Sequence, residues 1–378
     1  MSSAKPFSVV ISGTGLYTPK HVITNEELVA SYNNWAKQYN AEHAMEIEQG
    51  GREAKPLSSV EFIYKASGIE QRFAYVKEGI LDIERMRPRI PERPEEALSD
   101  QAEMALYAAR DAIKAAGKRP EDIDAVIVSC AYTQRSYPAI AIEVQNELGI
   151  KGFAFDMLVA CSAATFALHR GYEMVTAGTA RCVLLINPEL TSPQVNYCDR
   201  DSHFIFGDVA TATIVERADT CTAPHSYDIL STKALTQFSS NVRSNMGYLS
   251  RVNDVDPFGV DKLFHQNGRK VFKEVCPMVE DHLREHLERL GLTIPDVKRW
   301  WLHQANINMN NMIVRRLLGR DATFEEAPVI LDRYANTASA GSLIAFHLHK
   351  KGLASGDLGV ISSFGAGYSI GSLVVRKK

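Results

Sequence analysis

The sequence lacks a long apolar run, paired cysteine spacings and a strong charge of either sign, and each lack removes a class of function. No stretch approaches the length needed to span a bilayer, and residues 1–10 lack the apolar core of a secretory signal, so the chain is read as soluble and cytoplasmic, with no membrane insertion. The six cysteines (Cys130, Cys161, Cys182, Cys198, Cys221 and Cys276) include no CxxC pair, which speaks against a disulfide framework or a zinc ribbon. The formal net charge of -3 provides no global basic field for nucleic acid or an anionic membrane surface. With 45% hydrophobic and 23% charged residues, the 378-residue chain has an ordinary globular composition and the length for two cores.

What is present is an alternation of strands and helices. Residues 7–11 make a β-rich run closed by Ser12-Gly13-Thr14-Gly15, read as a strand and a turn; Gly13, Gly15 and Lys20 do not complete a phosphate loop. Thr24 and Glu27 have capping-box spacing and open a helix. Two insertions follow. Residues 31–59 read as a partly helical excursion broken at Gly50-Gly51, and residues 77–96 carry Arg85, Arg87, Arg89 and Arg93 among prolines, as a solvated loop or a dock for an acidic partner. Residues 99–117 form an amphipathic helix capped by Ser99 or Asp100 and ended by Gly117. A strand at 124–130, a helix at 140–148, a strand running to Cys161, a helix from Cys161 and a strand at 182–187 predict a layered α/β fold with a mostly parallel sheet.

The second half repeats the first. Gly117-Lys-Arg-Pro-Glu-Asp122-Ile123 before a strand is echoed by Gly291-Leu-Thr-Ile-Pro-Asp296-Val297 before another. Asn336-Thr-Ala-Ser-Ala takes the place of Cys161-Ser-Ala-Ala, and residues 358–363 that of 182–187. The chain is thus a duplicated α/β unit, divided at 1–217 and 218–378.

Reactive side chains fall at equivalent ends of the two halves. Cys161 and Asn336 head equivalent helices, and His303 ends a strand in Leu302-His303-Gln304-Ala305-Asn306. Equivalent elements of a pseudo-symmetric pair face each other, so these three side chains are expected to meet in one pocket. At the start of a helix, free N–H groups and the dipole are expected to favour Cys161 thiolate over thiol. A core cysteine and a satisfied core histidine are the bland readings of Cys161 and His303 taken singly.

These motifs, together with Asp156-Met-Leu-Val-Ala-Cys161, Tyr334-Ala-Asn336, Phe206-Gly-Asp208 and Ser363-Phe-Gly-Ala-Gly-Tyr, resemble the ketoacyl synthase III family of the thiolase superfamily over nearly the whole chain. The resemblance implies a thiolase-like αβαβα layered fold with two pseudo-symmetric halves and an acyltransferase. The implied reaction is a decarboxylative Claisen condensation of an acyl-coenzyme A primer with malonyl-acyl carrier protein through an acyl-Cys161 intermediate. His303 and Asn336 would hold the enolate, and the backbone N–H groups of Cys161 and Ala366 an oxyanion. It further implies coenzyme A contacts at Phe62, Arg200 and Asn306, an acyl pocket at Tyr137 and Phe364, carrier-protein docking at Arg315 and Arg316, and a homodimer. No metal and no cofactor beyond acyl-coenzyme A as substrate are expected. A specialised relative of secondary metabolism and a catalytically dead acyl-binding partner are the alternatives, the latter opposed by the complete Cys-His-Asn set.

Several positions depart from the family pattern. Phe62 stands where a tryptophan is usual, Ala66 and Asn308 where arginines are, Ala366 where glycine is, and Tyr137 where most members carry phenylalanine. Tyr137 also stands where head-to-head condensing relatives carry a glutamate base, which favours malonyl-dependent extension.

Overall fold

The computed structural model of the protein describes residues 6–252, 254, 256 and 259–378. In chain order the elements are β1 (Val9–Tyr17), β2 (His21–Thr24), α1 (Asn25–Glu42), α2 (Ala44–Glu48), α3 (Val60–Ser67), β3 (Gln71–Ala74), α4 (Asp100–Ala116), β4 (Ala125–Cys130), α5 (Ile140–Leu148), β5 (Phe153–Leu158), α6 (Ala163–Thr176), β6 (Cys182–Glu189), β7 (Val209–Arg217), β8 (Tyr227–Ser239), β9 (Val242–Arg243), β10 (His265–Gln266), α7 (Gly268–Glu288), β11 (Val297–Leu302), α8 (Ile307–Leu318), α9 (Leu331–Tyr334), α10 (Gly341–His349), β12 (Leu358–Gly365) and β13 (Gly367–Lys377).

Nine strands form one sheet in the order β11-β12-β13-β8-β1-β7-β6-β4-β5. It is two copies of one pattern joined at β1 and β8. In each copy a parallel pair (β4 with β6, β11 with β12) is followed by antiparallel neighbours (β7 and β1, β13 and β8). The seam is antiparallel and short, Val10 opposite Asp228 and Ile11 opposite Tyr227. The sheet is therefore mixed, not mostly parallel. One reason is local: only Ala366 separates β12 from β13, and so short a connection reverses the chain.

Alternation along the strands sorts the core into layers. Cys182, Leu184 and Ile186 point with β4 toward α4 and α5, whereas Val183 and Leu185 point toward α6. In the second copy Val360 and Val374 face α7 and α8, and Ile361, Leu373 and Val375 share a core with α10. Because α6 and α10 belong to that same central core, the two halves of the sheet lie on either side of them, and the order is helix, half-sheet, helix, half-sheet, helix. This is the thiolase-like arrangement.

Local signals act as expected at several points. Thr24 and Glu27 make a reciprocal capping box on α1, and Ser99 caps α4 through the Ala102 N–H while Gly117 ends it at φ 65°. The echoed segments adopt the same turn: Asp122 accepts from the Arg119 N–H, and Asp296 from the Thr293 N–H. Gly13 and Gly15 depart from the reading, since they lie inside β1 rather than ending it. A Cβ on Gly15 would sit 2.0 Å from the Ala108 carbonyl and one on Gly13 2.2 Å from that of Ala112, so these glycines let α4 press on the strand. Of the arginine run, Arg93 is not merely solvated: it is paired with Asp100 and Glu103 at the start of α4.

Candidate active site

The nucleophile candidate stands on a bent connection. β5 ends at Leu158, three residues earlier than its apolar run predicts, and a single 3₁₀ turn over Ala160–Ser162 carries Cys161 before α6 begins at Ala163. Ala160 enters that turn at φ 44°, a left-handed conformation costly for a residue with a Cβ. Ser162 fixes the far side by donating to the Ser369 carbonyl at 2.9 Å. Gly365, the last residue of β12, leaves room for the nucleophile: a Cβ there would lie 2.5 Å from the Cys161 Cβ.

The sulfur's electrostatics correct the expectation drawn from helix position. Burial, with the Glu189 carboxylate adding to it, pushes the Cys161 thiol up to about 12, although the N–H groups of Ala366 and of Cys161 itself pull the other way. Desolvation outweighs the amide groups, and the resting group is a thiol.

His303 follows the last residue of β11, its N–H donating to the Ser362 carbonyl at 2.8 Å. The ring is 2% exposed and stands edge-on to Phe364, with centroids 5.2 Å apart. Burial lowers it to about 3, so it is neutral at physiological pH. Its Nδ1 is buried and has no partner among the described residues, which leaves the tautomer unlocked.

Asn336 does not head the helix equivalent to the one after Cys161. Ala338 (φ 47°) begins the matching 3₁₀ turn Ala338–Ala340 and α10 starts at Gly341, so the residue in the place of Cys161 is Ser339, and Asn336 lies three positions earlier. Asn336 is held by its main chain: its N–H donates to the Ile205 carbonyl at 3.0 Å and its carbonyl accepts from Gly207 at 3.1 Å. Its Oδ1 accepts from the Ala338 N–H at 2.9 Å, which turns the amide so that Nδ2 is its free donor. The Phe206-Gly-Asp208 motif serves this anchor. A Cβ on Gly207 would meet the Tyr334 carbonyl at 2.5 Å, and buried Asp208 accepts from the N–H groups of Thr191, Ser192 and Tyr75.

Cys161, His303 and Asn336 line one cavity of about 460 Å³, with Phe62, Asn306, Phe364 and Ala366 also on its wall. Apolar side chains of Phe206, Val242, Phe264, Val271, Phe272 and Met309 extend it. Asn306 also caps α8, its Oδ1 accepting from the Met309 N–H at 2.8 Å. Arg200 meets the cavity through Phe62, its guanidinium carbon 3.6 Å from the ring centroid. Tyr137 is 76% exposed and does not line the cavity of its own chain. Arg315 and Arg316 lie outside it on the last turn of α8, paired with Asp321 and Glu280. Asn308, in a position where an arginine was expected, donates to the Lys65 carbonyl at 3.1 Å and so ties α8 to α3.

The 3-Oxoacyl-[acyl-carrier-protein (ACP)] synthase III family model matches residues 155–236, and the C-terminal model of the same family residues 287–377. A β-ketodecanoyl-[acyl-carrier-protein] synthase of Pseudomonas aeruginosa is 55% identical over 347 residues, covering 92% of this chain and 99% of that protein. The chain belongs to the ketoacyl synthase III family. The synthase fold is likewise similar to the crystal structure of 3-oxoacyl-[acyl-carrier-protein] synthase III from Aquifex aeolicus (TM-score 0.75, 26% identity, 97% of this chain and 99% of that one). The priming β-ketosynthase of the R1128 polyketide pathway superposes with TM-score 0.77 at 25% identity, covering 100% and 98%. This synthase is an acyltransferase that makes a carbon–carbon bond to a β-ketoacyl product. Among the described residues no cluster of His, Cys, Asp and Glu could hold a metal ion, and no helix is long and apolar enough to cross a membrane.

Sequence reasoning missed Glu189 and Ser339. Glu189 is 1% exposed and pushed up to about 7 by burial, and its two oxygens accept from Ser339 and from the Ala131 N–H. The available signal was a carboxylate two residues beyond a wholly apolar run that was ended at Asn187.

Proposed function

We propose that this synthase condenses an acyl-coenzyme A primer with malonyl-acyl carrier protein, working from Cys161, His303 and Asn336. The observation that carries this reading is the convergence of those three residues on one cavity. The Cys161 sulfur attacks the primer's thioester carbonyl while the N–H groups of Cys161 and Ala366 receive the oxyanion. The carbon–sulfur bond to coenzyme A breaks, and the proton from the thiol leaves with the coenzyme A sulfur. Because the resting thiol is protonated, that proton needs a carrier. Neutral His303, with its unlocked tautomer, is one when Nε2 holds the lone pair.

In the second half-reaction, loss of carbon dioxide from the malonyl group leaves an enolate. His303 Nε2–H and Asn336 Nδ2–H donate to its oxygen, its carbon attacks the acyl-Cys161 carbonyl, and Cys161 departs as thiolate and regains a proton from solvent, the one proton that the overall reaction consumes. Two neutral donors suit an oxygen whose charge grows during the step.

The primer is of medium length. The Pseudomonas relative is named for a ten-carbon ketoacyl product, and subtracting the two carbons that malonyl supplies leaves eight. The apolar wall from Phe206 to Met309 suits an alkyl chain or the pantetheine arm that delivers it. The working form is a cytoplasmic homodimer. The edge strand β5 carries exposed Phe153 and Leu158, beside the loop of exposed Tyr137, and a second copy pairing there would bring Tyr137 toward its partner's acyl pocket.

Intact-protein mass after incubation with acyl-coenzyme A thioesters of two to twelve carbons, with Cys161→Ala alongside, tests the reading. A single acyl adduct, strongest near eight carbons and absent from the variant, is expected. An adduct that survives in Cys161→Ala would overturn the assignment of the nucleophile.

A further inference from the structure

The turn that carries Cys161 and the turn after Asn336 are pseudo-symmetric mates that are braced differently. In the first, Cys161 abuts Gly365, the last residue of β12. In the second, Ser339 abuts Glu189, the last residue of β6, the strand that corresponds to β12. Glu189 Oε1 accepts from the Ser339 N–H at 3.1 Å and from the Ser339 hydroxyl, while Oε2 accepts from the Ala131 N–H at 3.1 Å at the end of β4. The carboxylate is almost wholly buried and is not on the cavity wall.

The segment it holds has two alanines in left-handed backbone, Ala335 at φ 57° and Ala338 at φ 47°, on either side of Asn336. Such conformations persist where surrounding bonds over-determine them. The Ala338 N–H orients the Asn336 amide, and the next residue, Ser339, is fixed by Glu189.

We propose that Glu189 is a positioning residue for the enolate-forming half-reaction: it clamps Ser339 to the end of β4 and thereby sets the direction in which Asn336 Nδ2 points. It neither touches substrate nor assists attack by Cys161. Its charge opposes the Cys161 thiolate, so its removal leaves acyl loading unchanged or faster while condensation slows. A general loosening of the fold cannot move the two half-reactions in opposite directions.

This inference rests on the role given to Asn336 above, and four variants separate the two. Glu189→Gln, Ser339→Ala, the double variant and Asn336→Ala are each assayed for single-turnover loading of Cys161 from octanoyl-coenzyme A and for condensation with malonyl-acyl carrier protein. Glu189→Gln keeps the side chain's volume but sets an amide donor against an N–H. Expected are loading at or above the wild-type rate in Glu189→Gln, Ser339→Ala and the double variant, condensation kcat at least tenfold lower in Glu189→Gln and Ser339→Ala with KM for the malonyl carrier within twofold, and a double variant no slower than the slower single one; Asn336→Ala is read for condensation. Should Glu189→Gln not fold, Ser339→Ala, which leaves the carboxylate on Ala131, must give the same split alone. Condensation at the wild-type rate in Glu189→Gln and Ser339→Ala, with Asn336→Ala impaired, overturns the inference and spares the reading of the site. Normal condensation in Asn336→Ala overturns both. Equal loss of loading and condensation reduces Glu189 to a packing role and also overturns the inference.

Discussion

Arg200 stands over the Phe62 ring, its guanidinium carbon 3.6 Å from the centroid, while its Nε donates to the Leu57 carbonyl at 2.8 Å. The pair stands at the rim of the cavity, where an aromatic face and a cation are the features that would hold a nucleotide base. A base entering between them exchanges one stacking contact for two. Contacts of this kind contribute about 0.5–1 kcal/mol when exposed, so Phe62→Ala or Arg200→Ala should raise KM for an acyl-coenzyme A primer roughly two- to fivefold. The same primer on pantetheine, which lacks the base, should be used equally well by wild type and variants. Steady-state kinetics with both donors decides it, and equal losses on both would remove the base from this place.

The nucleophile depends on the absence of a side chain across from it. Gly365→Ala would put a methyl group 2.5 Å from the Cys161 Cβ, a separation that packed atoms do not reach, so either the Cys161 turn or the end of β12 must shift. Acyl loading is expected to fall at least tenfold, with a loss of about 1–3 kcal/mol in stability, read by intact mass and chemical denaturation. Loading at the wild-type rate would mean that the turn tolerates displacement.

Much of this was legible in the sequence because it rests on local chemistry. The caps at Thr24, Ser99 and Gly117 are local, and the echoed Asp122 and Asp296 turns disclosed the duplication. Cys161, His303 and Asn336 share one cavity wall, as the symmetry suggested, although Asn336 lies three positions before the true mate of Cys161. What escaped depends on approach between distant elements. Gly13 and Gly15 imitate a turn but make space for α4, and Ser339 proves to be the mate of Cys161 only when Ala160 and Ala338 are seen to share a positive φ. The thiol's elevation could not be read from helix position, because it comes from the depth of the site and from Glu189, fixed by the fold beside it.

Buried neutral histidines make the fold sensitive to acid. His203, His282, His286 and His303 are each at most 2% exposed, and burial holds them at about 4, 3, 4 and 3. Each value lies below the ordinary one near 6.5, so the unfolded chain takes up these protons first as pH falls. Stability contributed above pH ~6.5 is then lost on acidification, by up to about 1.4 kcal/mol per pH unit for each group until its folded value is reached. Glu189, raised to about 7, acts in the opposite direction, as do Asp156 and Asp208, whose carboxyls burial also raises, while His347, lowered to about 4, acts with the four histidines. Tm should fall steadily from pH 7 to pH 5, and less steeply in His282→Gln; a Tm independent of pH over that range would contradict the assignment of these rings as neutral.

The last turn of α8 offers the clearest test of carrier-protein docking. Arg316 is bonded to Glu280, which Arg284 also holds, and Arg315 is paired with Asp321, so neither guanidinium is free in the isolated protein. An acidic carrier helix must compete with these carboxylates; the Arg315–Asp321 pair is exposed and of a kind worth about 0–1 kcal/mol, whereas Glu280 is only 14% exposed and holds Arg316 more firmly. Arg316→Ala and Arg315→Ala should raise KM for malonyl-acyl carrier protein several-fold and leave acyl loading from coenzyme A unchanged. Glu280→Gln removes an internal competitor and should lower that KM. Because rim charges act largely through long-range attraction, the differences should shrink as salt rises from 50 to 300 mM, where the Debye length falls below about 8 Å. An unchanged KM in both arginine variants at low salt would move the docking surface off α8, and an effect that persists at high salt would indicate direct contacts rather than steering.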